Sequence, residues 1–169
     1  MLLNSDRLLV KRDDAAGQDE LIQLVSFLLD SEEYGVEVLK VREIIRMPTI
    51  TKMPNAAQHV EGIINLRGKV IPIISMRKRF GVPETEKSSH TRIIIMDLVS
   101  GMTGFIVDGV SEVIRVPGKE IQPPPAMVVS GGASQEFVTG VINHADRLLI
   151  VMDVDRMFSG EELESFKIA

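Results

Sequence analysis

The segment Gly35-Val36-Glu37-Val38-Leu39-Lys40-Val41-Arg42-Glu43-Ile44-Ile45-Arg46-Met47-Pro48 recurs sixty-nine residues later as Gly104-Phe105-Ile106-Val107-Asp108-Gly109-Val110-Ser111-Glu112-Val113-Ile114-Arg115-Val116-Pro117, with seven of fourteen positions identical. A second match, Gly62-Ile63-Ile64-Asn65 with Gly140-Val141-Ile142-Asn143, has a spacing of seventy-eight. The nine extra residues fall between Pro117 and Gly140, where residues 122–133 hold three consecutive prolines and two glycines. Insertions belong in loops, so the two spacings are consistent with one another. Self-similarity of this kind means that one supersecondary unit is used twice. A unit of about 70 residues is small for a stable core. The two units are therefore expected to pack on each other about an approximate two-fold axis.

The local pattern is that of strands. Residues 21–29 are apolar and rich in strand formers, Asp30-Ser31-Glu32-Glu33 reads as a turn, and residues 34–38 alternate. Val38, Val41 and Ile45 recur at spacings of three and four, which predicts one helical turn or a bent strand. Met47-Pro48 and Met53-Pro54 punctuate an extended segment. Residues 62–66 and 70–74 predict a hairpin about Arg67-Gly68-Lys69, followed by a short basic helix over 75–80 that Gly81-Val82-Pro83 stops. The second half repeats the order, with strands at 91–98, 104–107 and 110–116 and a hairpin of 137–143 with 147–153. Ser159-Gly160-Glu161-Glu162 has capping-box spacing and predicts a short C-terminal helix. Residues 1–19, with the polar run Asp13-Asp14-Ala15-Ala16-Gly17-Gln18-Asp19, read as a flexible tail, and 163–169 as a second one. The expected fold is all-β: short strands in this number curl into two small barrels, which removes exposed edges. A groove between the barrels is then a natural binding site.

Composition narrows the function. The formal net charge of −5 and the sequence pI of about 5.3 argue against nucleic acid, whose binding needs a basic surface, and weakly against an anionic membrane. There is no cysteine, hence no disulfide frame, thiolate metal site or Cys nucleophile. Aromatic residues are 4% of the chain, so the core must be aliphatic. No apolar run approaches membrane-spanning length, and Asp6, Arg7, Lys11 and Arg12 interrupt any signal-peptide core. A soluble intracellular protein is expected. His59, His90 and His144 are scattered without metal-ligand spacing. No phosphate-cradling glycine pattern or Gly-x-Ser-x-Gly turn is present. Asp97, Asp108, Asp153 and Asp155 sit at strand ends and read as solvated turn residues; Pro123-Pro124-Pro125 reads as a stiff loop. No catalytic residue, metal or cofactor is expected.

The binding candidates cluster around the first hairpin. Arg67 lies at its tip, where a planar guanidinium can bridge a carboxylate of this chain or of a partner. Glu43 stands among apolar residues, the setting of a rim position or a paired charge, and is the expected mate of Arg67. Val41 and Ile44 flank it, Glu112 is its repeat mate, and Val113 follows. Gly62, repeated as Gly140, marks a bend or a close backbone approach.

Three stretches carry a resemblance. Glu33-Tyr34-Gly35-Val36-Glu37-Val38-Leu39-Lys40-Val41-Arg42-Glu43-Ile44, Gly62-Ile63-Ile64-Asn65-Leu66-Arg67-Gly68-Lys69-Val70-Ile71-Pro72-Ile73-Ile74 and Val107-Asp108-Gly109-Val110-Ser111-Glu112-Val113 resemble the CheW family of bacterial chemotaxis coupling proteins, from about Glu20 to Glu162. The resemblance implies a domain over 20–162 made of two intertwined, five-stranded, SH3-like barrels with short helices. It implies no enzymatic activity and a cytoplasmic place at membrane-associated receptor arrays. The implied partners are the cytoplasmic tips of chemoreceptors and the regulatory domain of the histidine kinase CheA, with neither nucleic acid nor membrane insertion. It gives weight to Arg67, whose family equivalent matters for coupling, and to Val113, which matches a groove-lining position; with Val41, Glu43, Ile44, Gly62 and Glu112 these are the expected partner-binding residues. Ser75-Met76 stands where the family usually has Asp-Leu, which puts a local hydrogen bond in doubt, and His144-Ala145-Asp146 occupies the second hairpin tip. Two alternatives stay open: a same-fold adaptor in a non-chemotactic pathway, and a small-molecule-binding barrel, which would need convergent titratable groups.

Overall fold

The aliphatic runs form ten strands within residues 20–124 and 137–157, the residues that the computed structural model describes. Strands β1 (Leu21–Leu29) and β2 (Glu32–Glu37) make a hairpin, and a single 3-10 turn at Val38–Lys40 leads into β3 (Val41–Arg46). The spacing of Val38, Val41 and Ile45 is thus a tight turn that runs straight into a strand. Strands β4 (Val60–Leu66) and β5 (Lys69–Ser75) pair about Arg67-Gly68, and helix α1 (Met76–Phe80) follows. The second repeat supplies β6 (Arg92–Leu98), β7 (Gly101–Val107), β8 (Gly109–Pro117), β9 (Val138–His144) and β10 (Arg147–Met152). The predicted tails, the proline loop from residue 125 onward and the predicted C-terminal helix lie outside the described residues.

Two five-stranded sheets result, in the orders β8-β1-β2-β10-β9 and β3-β6-β7-β5-β4. Mapping β1–β5 onto β6–β10 turns the first order into the second, so the sequence repeat is a repeat of topology. The repeats are not the barrels, however. Each sheet takes two strands from one repeat and three from the other, which is the sense in which the barrels intertwine. One barrel, here the inserted barrel, is the contiguous segment β3–β7. The other, the flanking barrel, is built from the chain on either side of it. Parallel pairs join the repeats within each sheet: β2 with β10 and β5 with β7, with Gly35 opposite Val151 and Gly104 opposite Ile73.

Three apolar clusters hold this arrangement. The flanking barrel is filled by Leu24, Ile114, Val116, Ile142, Leu149 and Val151. The inserted barrel is filled by Ile64, Ile71, Ile73, Ile93, Ile95 and Ile106. The largest cluster lies between them and draws on both sheets, among others Val25, Phe27, Ile94, Met96 and Phe105. Although aromatics are few, four line up across this shared core. Phe27 stacks on Tyr34 at 5.7 Å between ring centres, Tyr34 meets Phe80 at 5.2 Å, and Phe80 stacks on Phe137 at 5.1 Å. Burial and then the nearby charges of Glu32 and Asp30 push the Tyr34 hydroxyl above its usual range.

Helix α1 carries Phe80 into that row. Its first turn is capped by Ser75, whose Oγ accepts the Lys78 amide at 3.2 Å and hydrogen-bonds Glu84 at 3.3 Å. Ser75 therefore performs the capping that an aspartate performs equally well, and the departure at this position leaves the helix start intact. Gly81, at φ 75°, ends the helix in the left-handed conformation.

The chain crosses between barrels twice, at Val38–Lys40 and at Asp108, and an ion pair clasps each crossing. Asp108 takes a two-point contact from Arg77, Oδ1 from Nε at 2.9 Å and Oδ2 from Nη2 at 2.7 Å, and accepts the Asp30 amide at 2.7 Å. At the other crossing Lys40 pairs with Asp155, which also accepts the Val99 amide at 2.9 Å. Arg77 and Asp155 occupy equivalent repeat positions, as do Asp30 and Val99, while the crossing residues Lys40 and Asp108 are one position out of register, so the two clasps are similar in place with their charges exchanged. Asp108 and Asp155 are accordingly not the solvated turn residues that the sequence suggests. A turn amide needs an acceptor at each crossing, and a cation folds over to neutralise it.

Candidate functional site

Strands β3 and β4 are the two edges of the inserted sheet, and the barrel closes where they approach. Thr51, in the segment after β3, bridges to Ile63 with amide–carbonyl bonds of 2.9 and 2.8 Å. The approach is possible only over a glycine. A Cβ on Gly62 would lie 2.2 Å from the Thr51 carbonyl oxygen, and the Gly62 φ of 154° is itself unfavourable for other residues. Gly62 is buried. Of the two meanings its sequence allowed, the close approach is realised, and a register shift between Val60 and Gly62 marks the bend as well.

Across this seam Glu43 and Arg67 meet. Arg67 and Gly68 form a two-residue hairpin turn with φ values of 51° and 88°, and the Asn65 side chain accepts the Gly68 amide at 2.8 Å. The turn holds Arg67 over the edge, where its Nη2 pairs with Glu43 Oε1. Glu43 reaches it beside a β-bulge at Val41/Glu43. The pairing expected from sequence is therefore present. A cleft of about 510 Å³ opens beside it, lined by Val41, Arg42, Glu43, Arg67, Lys69 and Met102 among others. Arg67 is 71% exposed and Glu43 32%, so the pair is offered to solvent rather than sealed inside.

The flanking barrel has an equivalent seam with different chemistry. Glu112 lies 3.7 Å from Arg147 Nη2 and 4.0 Å from His144 Nε2, and Arg147 also reaches the buried Glu33 at 3.1 Å. His144 stands where Leu66 stands in the other barrel, and Ala145 where Arg67 stands. Ile44 and Val113, 40% and 57% exposed, occupy matching places on the edge strands β3 and β8. They lie opposite Ile94 and Val25 of the shared core. The seven candidates thus fall on two barrels, and among them Val41, Glu43 and Arg67 line the cleft. Val41, Glu43, Ile44, Gly62 and Arg67 belong to one barrel, Glu112 and Val113 to the other. Sequence reasoning missed Arg42, Lys69 and Met102. The signal for Arg42 was the alternation of exposed Arg42, Ile44 and Arg46 along β3; Met102 comes from β7, distant in sequence, and gave none.

A second, smaller cleft of about 200 Å³ lies where the barrels meet, with Val36, Met96, Val151 and Met152 on its walls and Lys40 and Asp153 beside them. Hydrogen bonding to Asp155, against the opposing effect of burial, raises the Lys40 ammonium above its usual range. Among the described residues no group of His, Asp and Glu is placed to hold a metal ion, and no helix is long and apolar enough to cross a membrane.

The model of the CheW-like domain matches residues 23–162. The chain belongs to the CheW family. The chemotaxis protein CheW of Treponema pallidum is 35% identical over 158 residues, covering 91% of this chain and 92% of the relative. That of Klebsiella aerogenes is 33% identical over 150 residues, covering 89% and 87%. The crystal structure of the scaffolding protein CheW of Thermoanaerobacter tengcongensis superposes with a TM-score of 0.76 at 37% identity, covering 85% of this chain and 96% of that one. This CheW-family chain is accordingly a chemotaxis scaffold of all-β fold and not an enzyme.

Proposed function

We propose that the chain couples the cytoplasmic tips of chemoreceptors to the histidine kinase CheA, at receptor arrays on the cytoplasmic side of the membrane. The observation that carries this reading is the placement of Val41, Glu43 and Arg67 around one open cleft at the barrel seam, with Ile44 exposed on the same edge strand, in a chain that belongs to the CheW family. The inserted barrel and the inter-barrel groove receive receptor helices on aliphatic walls. The barrel ends meet the like-folded regulatory domain of the kinase, opposite halves pairing. Glu112 and Val113 form the corresponding patch on the flanking barrel, and Gly62 acts through the seam it closes. Each contact is small, so strength comes from several contacts made at once in an array.

The test is reconstitution of receptor cytoplasmic fragments, CheA and this chain, with co-sedimentation and kinase activity as readouts. Kinase activation is expected only when all three are present. Arg67→Ala should weaken the ternary complex while leaving the fold intact by circular dichroism. Full coupling by that variant, or the absence of any ternary complex, contradicts the reading.

A further inference from the structure

The two barrels share a fold and a repeat, yet their charges are opposite. Residues 41–107, which hold the whole inserted barrel and α1, carry ten Lys or Arg against five Asp or Glu, a formal charge of +5. The described residues of the flanking barrel, 20–40, 108–124 and 137–157, carry five Lys or Arg against eleven Asp or Glu, a formal charge of −6. The modest whole-chain value of −5 conceals this polarity.

The polarity is concentrated at the cleft beside Arg67. Three cations line it, Arg42, Arg67 and Lys69, against the single carboxylate of Glu43. Arg42 and Lys69 are exposed and form no ion pair among the described residues. Arg67 gives one nitrogen to Glu43. A guanidinium has five N–H donors in a planar fork, so the rest of the fork is available for a second carboxylate. Val41, Leu66 and Met102 supply apolar surface for the stem of an incoming side chain.

We propose that this cleft binds acidic side chains of a partner protein, while the flanking barrel excludes them. The inference rests on the coupling role proposed above and adds the chemistry of one docking site to it. A protein segment is favoured over a membrane or a duplex because those polyanions are broad. At physiological salt, charges are felt over about 8 Å, and a broad anionic surface laid on the inserted barrel also meets the field of the acidic one. A protruding Asp or Glu meets only the cleft.

The experiment measures affinity of the intact chain for a receptor cytoplasmic fragment and, separately, for the CheA regulatory domain across a series of sodium chloride concentrations. It compares the parent with Arg42→Glu/Lys69→Glu, which leaves the Glu43–Arg67 pair in place, and with Glu32→Lys/Glu120→Lys on the flanking barrel. For at least one partner, the parent affinity should fall with salt, and the first double variant should bind about tenfold more weakly with a flattened salt dependence. The second double variant should not weaken that same partner. Salt-independent binding by the parent, or unchanged affinity of the first variant for both partners, overturns the inference and leaves the coupling role standing. Absence of any complex with either partner at low salt removes the coupling role itself. Capture of the parent by anionic phosphatidylserine vesicles or duplex DNA, lost in the first double variant while both protein affinities are unchanged, also overturns it.

Discussion

Asp108 is a small residue with four demands on it: the Arg77 fork, the Asp30 amide, partial burial, and a place where the chain changes barrels. Burial alone would raise its carboxyl. The hydrogen bonds from Arg77 and the Asp30 amide, with the Arg77 charge, outweigh it and hold the group below its ordinary 3.8. A folded value below the unfolded one contributes stability that is fully present above the unfolded value and is lost as pH falls through the folded one. Asp108→Asn should therefore cost about 1.5–3 kcal/mol at neutral pH, since Arg77 is 13% exposed, loses its two-point counter-charge and keeps only Asp30 at 3.6 Å. The deficit relative to the parent should shrink below 3.8 and vanish in strong acid, a convergence that denaturant titrations at several pH values will show. Lys40→Ala should cost less than about 1 kcal/mol, because its hydrogen bond to Asp155 is single-point, Asp153 is at 4.0 Å and the lysine is partly in water. Neither clasp was legible in the sequence. Asp108 and Asp155 look like ordinary turn residues until the crossing brings Arg77 and Lys40 onto them, and those partners lie 31 and 115 residues away.

At the scale of elements the two hairpins make the clearest comparison. Both use two residues at positive φ: Arg67 and Gly68 in one, Ala145 and Asp146, at 52° and 62°, in the other. A non-glycine residue in this region costs about 1–2 kcal/mol, and the second tip has no glycine to relieve it. Ala145→Gly should stabilise the protein by about 1 kcal/mol, raising the melting temperature by about 2–4 °C. A fall in melting temperature would show that the tip is not strained. The glycines behind the hairpins should differ in the other direction. Gly62 faces the Thr51 backbone oxygen at 2.2 Å, whereas a Cβ on Gly140 would meet the Ile121 Cγ2 side-chain methyl at 2.3 Å and a backbone oxygen, that of Gln122, only at 3.1 Å. Gly62→Ala is expected to cost about 3 kcal/mol or more and Gly140→Ala about 1–2 kcal/mol, compared by urea unfolding. The hairpins, the short helix and the Glu43–Arg67 pair were readable in advance because each depends on residues close in sequence or on a repeat that marks them. Their strengths were not, because these depend on which atom of a distant segment stands opposite.

At the scale of the molecule, the repeat announced two barrels but not their boundaries. Nothing in the spacings of sixty-nine and seventy-eight says that strands are exchanged, since an exchanged and an unexchanged duplication have the same sequence. The exchange makes the inserted barrel a contiguous segment whose outer face, toward the flanking barrel, is nonetheless half of the shared core. Ile74, Met76, Ile94, Met96, Phe105 and Val107 all point into that core from residues 41–107. If excised, the segment would expose this face to water, a loss that its own six-isoleucine interior is too small to offset. The two barrels should therefore unfold as one unit despite being similar, separately filled sheets. Phe105 tests this, being fully buried on the inserted side of the shared core. Phe105→Ala should cost about 3–5 kcal/mol. If the barrels are coupled, the loss must appear equally in both when amide exchange is followed on β1 and on β6, and the calorimetric trace must keep a single transition. Selective loss of protection on β6, with β1 unchanged, would mean that the flanking barrel stands without its neighbour and that the shared core does not bind the two into one folding unit.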